Sequence, residues 1–155
     1  MIIRRFENDD AEAVSSLITR NFLEVNIRDY PKEEMELLSN EYNADKVKQV
    51  ASYAHTYVVY EDAKIIGTGS ISSFWGSKTE SILLTIFVLP ELHSQGIGKR
   101  IIETLENDEL FLRANRIEIP ASITACNFYE KMGYNYKNDK KELDDEGHYR
   151  MEKFR

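Results

Sequence analysis

Apolar residues recur along this chain with two different spacings, and the switches between them outline its elements. The opening MIIRRF reads as a first strand. In NDDAEAVSSLITRNFLEV, apolar residues at Ala13, Val14, Leu17, Ile18, Phe22 and Val25 follow Asn and Asp residues suited to capping, which predicts an amphipathic helix. Beyond Pro31, KEEMELLSNEYNADKVKQVASYA supplies one or two short helices, the second capped by Asn43 or Asp45. TYVVYEDAKIIGTGSISSF is two β-rich runs joined by EDAK, an antiparallel hairpin, and TESILLTIFVLP is a long, largely buried strand. From Ile97 to about Arg113, residues Ile97, Ile101, Ile102, Leu105 and Leu112 predict another amphipathic helix, entered through a glycine loop. RIEIP is a short strand, and SITACNFYEKM is a helix capped by Ser122 and ended by Gly133. YNYKN and HYRMEKF form a last strand pair around the charged loop DKKELDDEG.

This order predicts an α/β (α+β) fold: one domain over residues 1–155, with a mixed, largely antiparallel central sheet of about seven strands flanked by helices. It does not fit a doubly wound dinucleotide fold, which needs regularly alternating βα units. The apolar runs fall short of a membrane span, and the N-terminus lacks the apolar stretch and cleavage site of an export signal, so no membrane partner and a cytoplasmic location are expected. Cys126 is the only cysteine, which excludes a disulfide framework and a thiolate cluster, and His55, His93 and His148 show no metal-ligand spacing. A net charge of −7 disfavours nucleic acid as partner and leans towards a cationic one.

The chemistry centres on LHSQGIGKRII, residues 92–102. A strand, a loop bearing Gly96 and Gly98, and a helix N-terminus together present free N–H groups and a positive dipole end, which suits a phosphate or pyrophosphate. Lys99 and Arg100 oppose the dipole in the first turn, a placement easier to understand with an anion there. The spacing is not that of a Walker A loop, and from these residues alone a plain loop-to-helix turn is the stronger reading.

IFVLPELHSQGIGKRIIETL resembles the acetyl-CoA-binding motif of the GNAT N-acetyltransferase superfamily, [QR]-x-x-G-x-[GA], preceded by a V-x-P strand end. SITACNFYEKMGY resembles its second signature, A-x-x-[FL]-Y-x-x-x-G-[FY], at Ala125, Phe128, Tyr129, Gly133 and Tyr134. His93 stands where the family usually has Gln or Arg, and Ser122 where Asn commonly ends the fifth strand. The resemblance implies acetyl-CoA as acyl donor; with no metal-ligand spacing in the chain, no metal is expected. It implies that main-chain groups of Ile86, Phe87 and Val88 bond the pantetheine arm, with the Val88 N–H polarising the thioester carbonyl. It further implies that His93, Ser94, Gln95, Gly96, Ile97, Gly98 and Lys99 hold the pyrophosphate, with Ser122 a further cofactor contact, and that Tyr129 is the general acid for the departing thiolate.

An amine of pKa near 10.4 is neutral only about once in ~2,500 molecules at pH 7, so a base is needed. Glu80, on the cofactor strand and sharing parity with Ile86 and Val88, is the candidate; Glu118, alternating with Ile117 and Ile119, reads as a residue facing solvent or a salt bridge. Tyr30, Glu33, Glu34 and Trp75 are candidates for an acceptor wall. The expected function is acetyl-CoA-dependent N-acetyl transfer to a small-molecule or peptide amine by a monomer or homodimer. The alternative is a non-catalytic acyl-CoA sensor or interaction module on the same fold.

Overall fold

A two-residue turn sets the first hairpin. Asp62 and Ala63 both adopt left-handed backbone (φ 51° and 60°), the two-residue connection whose twist matches the strands on either side, β2 (His55–Glu61) and β3 (Lys64–Ser73). The computed structural model describes all residues from 1 to 155. Before the hairpin come β1 (Ile2–Arg5), α1 (Ala11–Glu24), α2 (Lys32–Glu41) and α3 (Ala44–Tyr53). After it come β4 (Glu80–Val88), α4 (Ile97–Leu105), α5 (Glu109–Leu112), β5 (Arg116–Ala121), α6 (Cys126–Lys131), β6 (Asn135–Tyr136) and β7 (Tyr149–Phe154). One seven-stranded sheet runs β1-β2-β3-β4-β5-β7-β6, antiparallel throughout except between β4 and β5.

The sheet is covered on both faces. On one, Phe22 of α1 packs edge-on against Phe87 of β4, ring centroids 5.6 Å apart. On the other, α4 lies close because β3 is bare there: a Cβ on Gly69 would sit 2.5 Å from Ile101 Cγ2, and one on Gly67 would sit 3.1 Å from Ile101 Cδ1. The apolar stripe Ile97, Ile101, Ile102, Leu105 is buried along that contact.

Most predicted elements form, and Asn43 caps α3 by accepting the Lys46 N–H at 3.0 Å. Two predictions are corrected. The helix expected from Ile97 to Arg113 breaks at Glu106–Asp108, because the buried Asp108 carboxylate accepts the Leu110 N–H (2.8 Å), the Tyr57 hydroxyl (2.6 Å) and a contact from His55 Nδ1 (2.9 Å), starting a new short helix. Ser122 does not cap the next helix. It receives the Ala125 N–H on its carbonyl, and α6 begins at Cys126 without a side-chain cap. Gly133 ends that helix as predicted, at φ 95°.

Candidate active site

β4 and β5 part company early. Their parallel pairing covers only Glu80–Ile82 against Arg116–Glu118, while β5 continues along β7 to Ala121 and β4 continues along β3 to Val88. Leu83–Val88 therefore has a neighbour on one side only. The Leu89 N–H donates to the Ile66 carbonyl, so in the alternating antiparallel ladder Leu89 and Phe87 address β3, whereas the N–H groups of Val88 and Ile86 point into the gap. Phe87 is thus corrected out of the pantetheine set: its main chain belongs to the β3 ladder and its ring to Phe22. The Val88 carbonyl is held from outside by Asn21 Nδ2 and His93 Nε2, each at 2.9 Å, leaving its N–H as the available group.

A bulge in β4 changes what faces what. Ser70 pairs with Leu84 and Thr68 with Phe87, so β4 spends an extra residue there, with Thr85 at φ 49°. Parity flips across it, and Glu80 projects to the face opposite Ile86 and Val88. Glu80 also lies six to eight residues below them, roughly 20–25 Å along a strand, and its carboxylate accepts from Arg116 Nη1 at 2.8 Å. As the residue taking the amine proton, Glu80 is corrected on distance and partner.

The glycine loop sits at the open end. Ser94 and Gly96 are left-handed (φ 64° and 84°), Gly96 begins α4, and a Cβ there would meet nothing within 4 Å. Gly98 serves a different need: a Cβ there would lie 3.3 Å from Phe128 Cζ, so its bareness lets α6 close on the first turn of α4. His93, Ser94, Gln95, Gly96 and Lys99 are exposed around this N-terminus, and Ile97 anchors it in the core. Open space before a left-handed turn, beside two unpartnered main-chain N–H groups, fits an extended phosphate-bearing ligand such as acetyl-CoA.

Tyr129 follows Phe128 on α6, 6% exposed, its ring against Phe128 and Tyr134. Its hydroxyl takes no hydrogen bond from the chain, yet it is not an enclosed atom; His148 Nδ1 alone is both enclosed and unpartnered. Burial pushes the Tyr129 pKa above its ordinary value, so it holds its proton at neutral pH. At reference values near 10 and 8.5, full transfer from a phenol to a free thiolate is uphill by about 2 kcal/mol. A thiolate leaving into the same dry surroundings is raised as well, and Tyr129 can follow it as a hydrogen-bond and proton donor.

The floor below the gap is ionic. Arg116, 12% exposed, reaches Glu80, Glu118 and Glu152 at 2.8, 2.5 and 2.9 Å. Glu118, 2% exposed, also meets Lys137 at 3.0 Å and Arg150 at 3.2 Å. Burial alone would raise the Glu118 pKa, but Arg116 and Lys137 outweigh it and hold the carboxyl below its ordinary value. Glu118 is thus in a buried salt-bridge network, not at the solvent.

Of the acceptor candidates, Tyr30 is at the open end. Its hydroxyl donates to the Gly147 carbonyl (2.6 Å) and accepts the Ile123 N–H (3.0 Å), tying the α1–α2 connection to the ends of β5 and β7. Glu33 and Glu34 are exposed acids in the first turn of α2. Trp75 is corrected: 91% exposed at φ 51°, it caps the β3–β4 tip at the opposite pole of β4. Ser122 directly follows β5, half-buried at the rim of the gap. Sequence reasoning missed Asn21, whose signal was a polar residue inside the apolar stripe Leu17, Ile18, Phe22, and His148.

A family model described as an acetyltransferase (GNAT) domain matches residues 52–136. PaiA N-acetyltransferase from Thermoplasma acidophilum, solved with coenzyme A, has a TM-score of 0.83 at 19% identity, covering 99% of this chain and 98% of that one. A GCN5-related N-acetyltransferase from Rhodopseudomonas palustris has a TM-score of 0.83 at 19% identity over 99% and 95% of the two chains. An aminoglycoside 6'-N-acetyltransferase with coenzyme A has 0.73 at 18% over 99% and 97%. At such identities the likeness is one of fold. No curated protein sequence matches the chain.

Proposed function

Because this chain belongs to the GNAT acetyltransferase family, we propose that it transfers an acetyl group from acetyl-CoA to a primary amine, on a small molecule or a peptide, by direct attack on the thioester. The observation that carries this reading is the early parting of β4 from β5, which leaves the Ile86 and Val88 N–H groups aimed into a gap beside the left-handed turn at Gly96. Acetyl-CoA supplies the activated acyl group. Residues His93–Lys99 bind its pyrophosphate through main-chain N–H groups and the α4 dipole. Ile86 and Val88 align the pantetheine, and the Val88 N–H donates to the carbonyl oxygen as negative charge develops there, a contribution worth about 3 kcal/mol in comparable sites.

Tyr129 stands on the helix packed against this turn and gives its proton to the sulfur as the C–S bond breaks. The acceptor enters on the α1–α2 side, where Tyr30 closes the wall and Glu33 adds negative charge for a cationic molecule. The relatives named N-acetyltransferases, one of them for aminoglycosides, support an amine as acceptor.

Thermal unfolding with acetyl-CoA, CoA and ATP in parallel, followed by thiol release with spermidine, kanamycin and a lysine-terminated peptide, tests the reading. Both CoA species at a hundred times their Kd stabilise the protein by about 2.7 kcal/mol, ATP does not, and at least one amine releases thiol. No shift with either CoA species would sink the proposal.

A further inference from the structure

Three histidines lie in the chain, and two are engaged: His55 Nδ1 with Asp108 at 2.9 Å, and His93 Nε2 with the Val88 carbonyl at 2.9 Å. His148 is not. Its Nδ1 is enclosed and has no hydrogen-bond partner, the Glu146 carboxylate lying 3.9 Å away, while its side chain remains 32% exposed, with Nε2 the nitrogen left accessible.

Register places this imidazole at the level of the chemistry. Glu80 pairs with Arg116 and Ile82 with Glu118, so β5 continued upward brings Ser122 level with the Ile86–Val88 stretch across the gap. β7 pairs Tyr149 with Ala121, which sets His148 beside Ser122. Alternation sets its face: Tyr149 stacks edge-on with Tyr136, whose hydroxyl reaches Glu130 on α6, so Arg150 and His148 project to the other face, where the acceptor enters. Tyr30 packs against the adjacent Gly147, a Cβ on which would lie 2.9 Å from the ring.

We propose that His148 is the base that takes the acceptor amine's proton; the inference rests on the acetyltransfer reading above. The ammonium gives one proton to Nε2, directly or through a water, and the freed lone pair forms the N–C bond to the acetyl carbon. As the C–S bond breaks, sulfur takes the Tyr129 proton. The proton shed by the acetylated nitrogen restores Tyr129 through solvent, and the imidazolium passes its own to bulk.

The surroundings keep the imidazole neutral and ready. Burial lowers the His148 pKa, Asp144 and Glu146 oppose this, and Arg150 adds to it; the net direction is downward. Of these charges, Asp144 is paired with Arg150 at 2.8 Å, and Arg150 also reaches Glu118 at 3.2 Å.

The test compares wild type with His148→Asn and His148→Ala, using acetyl-CoA with spermidine, kanamycin and a lysine-terminated peptide from pH 6 to 10. In the variants kcat/KM at pH 7 falls about 100-fold, the deficit shrinks as pH approaches the pKa of the amine itself, and added imidazole restores part of the His148→Ala rate. The thermal shift with acetyl-CoA stays as in wild type. A variant that keeps the wild-type rate and profile overturns the proposal. So does an equal loss at every pH without imidazole rescue, the mark of a structural role. A wild type that binds acetyl-CoA but acetylates none of the three amines overturns the acetyltransfer reading, and this inference with it.

Discussion

The two halves of β4 meet their surroundings in opposite ways. In Glu80–Ile82 the backbone is paired on both sides, and the side chains beneath are locked by Arg116 into an ionic cluster. In Leu83–Val88 the backbone is paired on one side only, and its end is steadied from outside by Asn21 and His93. The bulge at Thr85 lies in this open half. A gap that binds through main-chain groups needs a strand that stops pairing, and a strand that stops pairing needs a firm anchor where it still pairs.

The sharpest way to break this contrast is at the anchor. Arg116→Ala leaves Glu118, at 2% exposure, with only Lys137 and Arg150, and removes the partner of Glu80 and Glu152. Removing one member of a buried ion cluster costs about 3–5 kcal/mol, so urea denaturation at pH 7 should show a loss of that size and Tm should fall by roughly 10 °C. The pH dependence follows from the Glu118 shift: its folded pKa lies below the ordinary 4.5, so its contribution is present above that value and lost as pH falls through the depressed one. The gap in stability between wild type and variant therefore narrows below about pH 4.5. An unchanged midpoint at pH 7 would mean the cluster does not anchor the strand.

In the open half, function and stability should separate. Tyr129→Phe removes a hydroxyl that bonds nothing in the chain, leaving the ring against Phe128 and Tyr134. Loss of a proton donor at the leaving group lowers kcat by about 100-fold, while Tm and the acetyl-CoA shift stay within error of wild type. A variant with unchanged kcat would remove Tyr129 from the chemistry.

The anchor and the gap were unequally legible in the sequence. Local signals sufficed for the EDAK turn, the Asn43 cap and the glycine-started helix, because each depends on residues within a few positions. The motif residues around Gly96 and Tyr129 were equally plain. The bulge was not, since period-2 counting along SILLTIFV carries no mark of an extra residue, and this put Glu80 on the wrong face of the sheet. Asp108 breaks its helix through Tyr57 and His55, about fifty positions away, and Trp75 looked like a wall only because its loop could not be placed. His148 and Asn21 gain their positions from register and packing between distant segments, which a single sequence does not display.

The smallest effect concerns the two glycines and asks whether the turn is built for a ligand. Gly96 is left-handed at φ 84°, so Gly96→Ala strains the backbone by about 1–2 kcal/mol, yet the new methyl meets no atom of the chain within 4 Å. Gly98 is helical, where Ala is favoured by about 1 kcal/mol, but its methyl meets the Phe128 ring at 3.3 Å, so the two effects offset and stability changes little. Isothermal titration with CoA separates the roles. If the space before Gly96 holds the pyrophosphate, Gly96→Ala weakens CoA by tenfold or more, while Gly98→Ala, whose methyl points at Phe128, weakens it less. Equal, small losses in both would mean that the loop only turns the chain into α4, and that the open half of β4 binds CoA through Ile86 and Val88 alone.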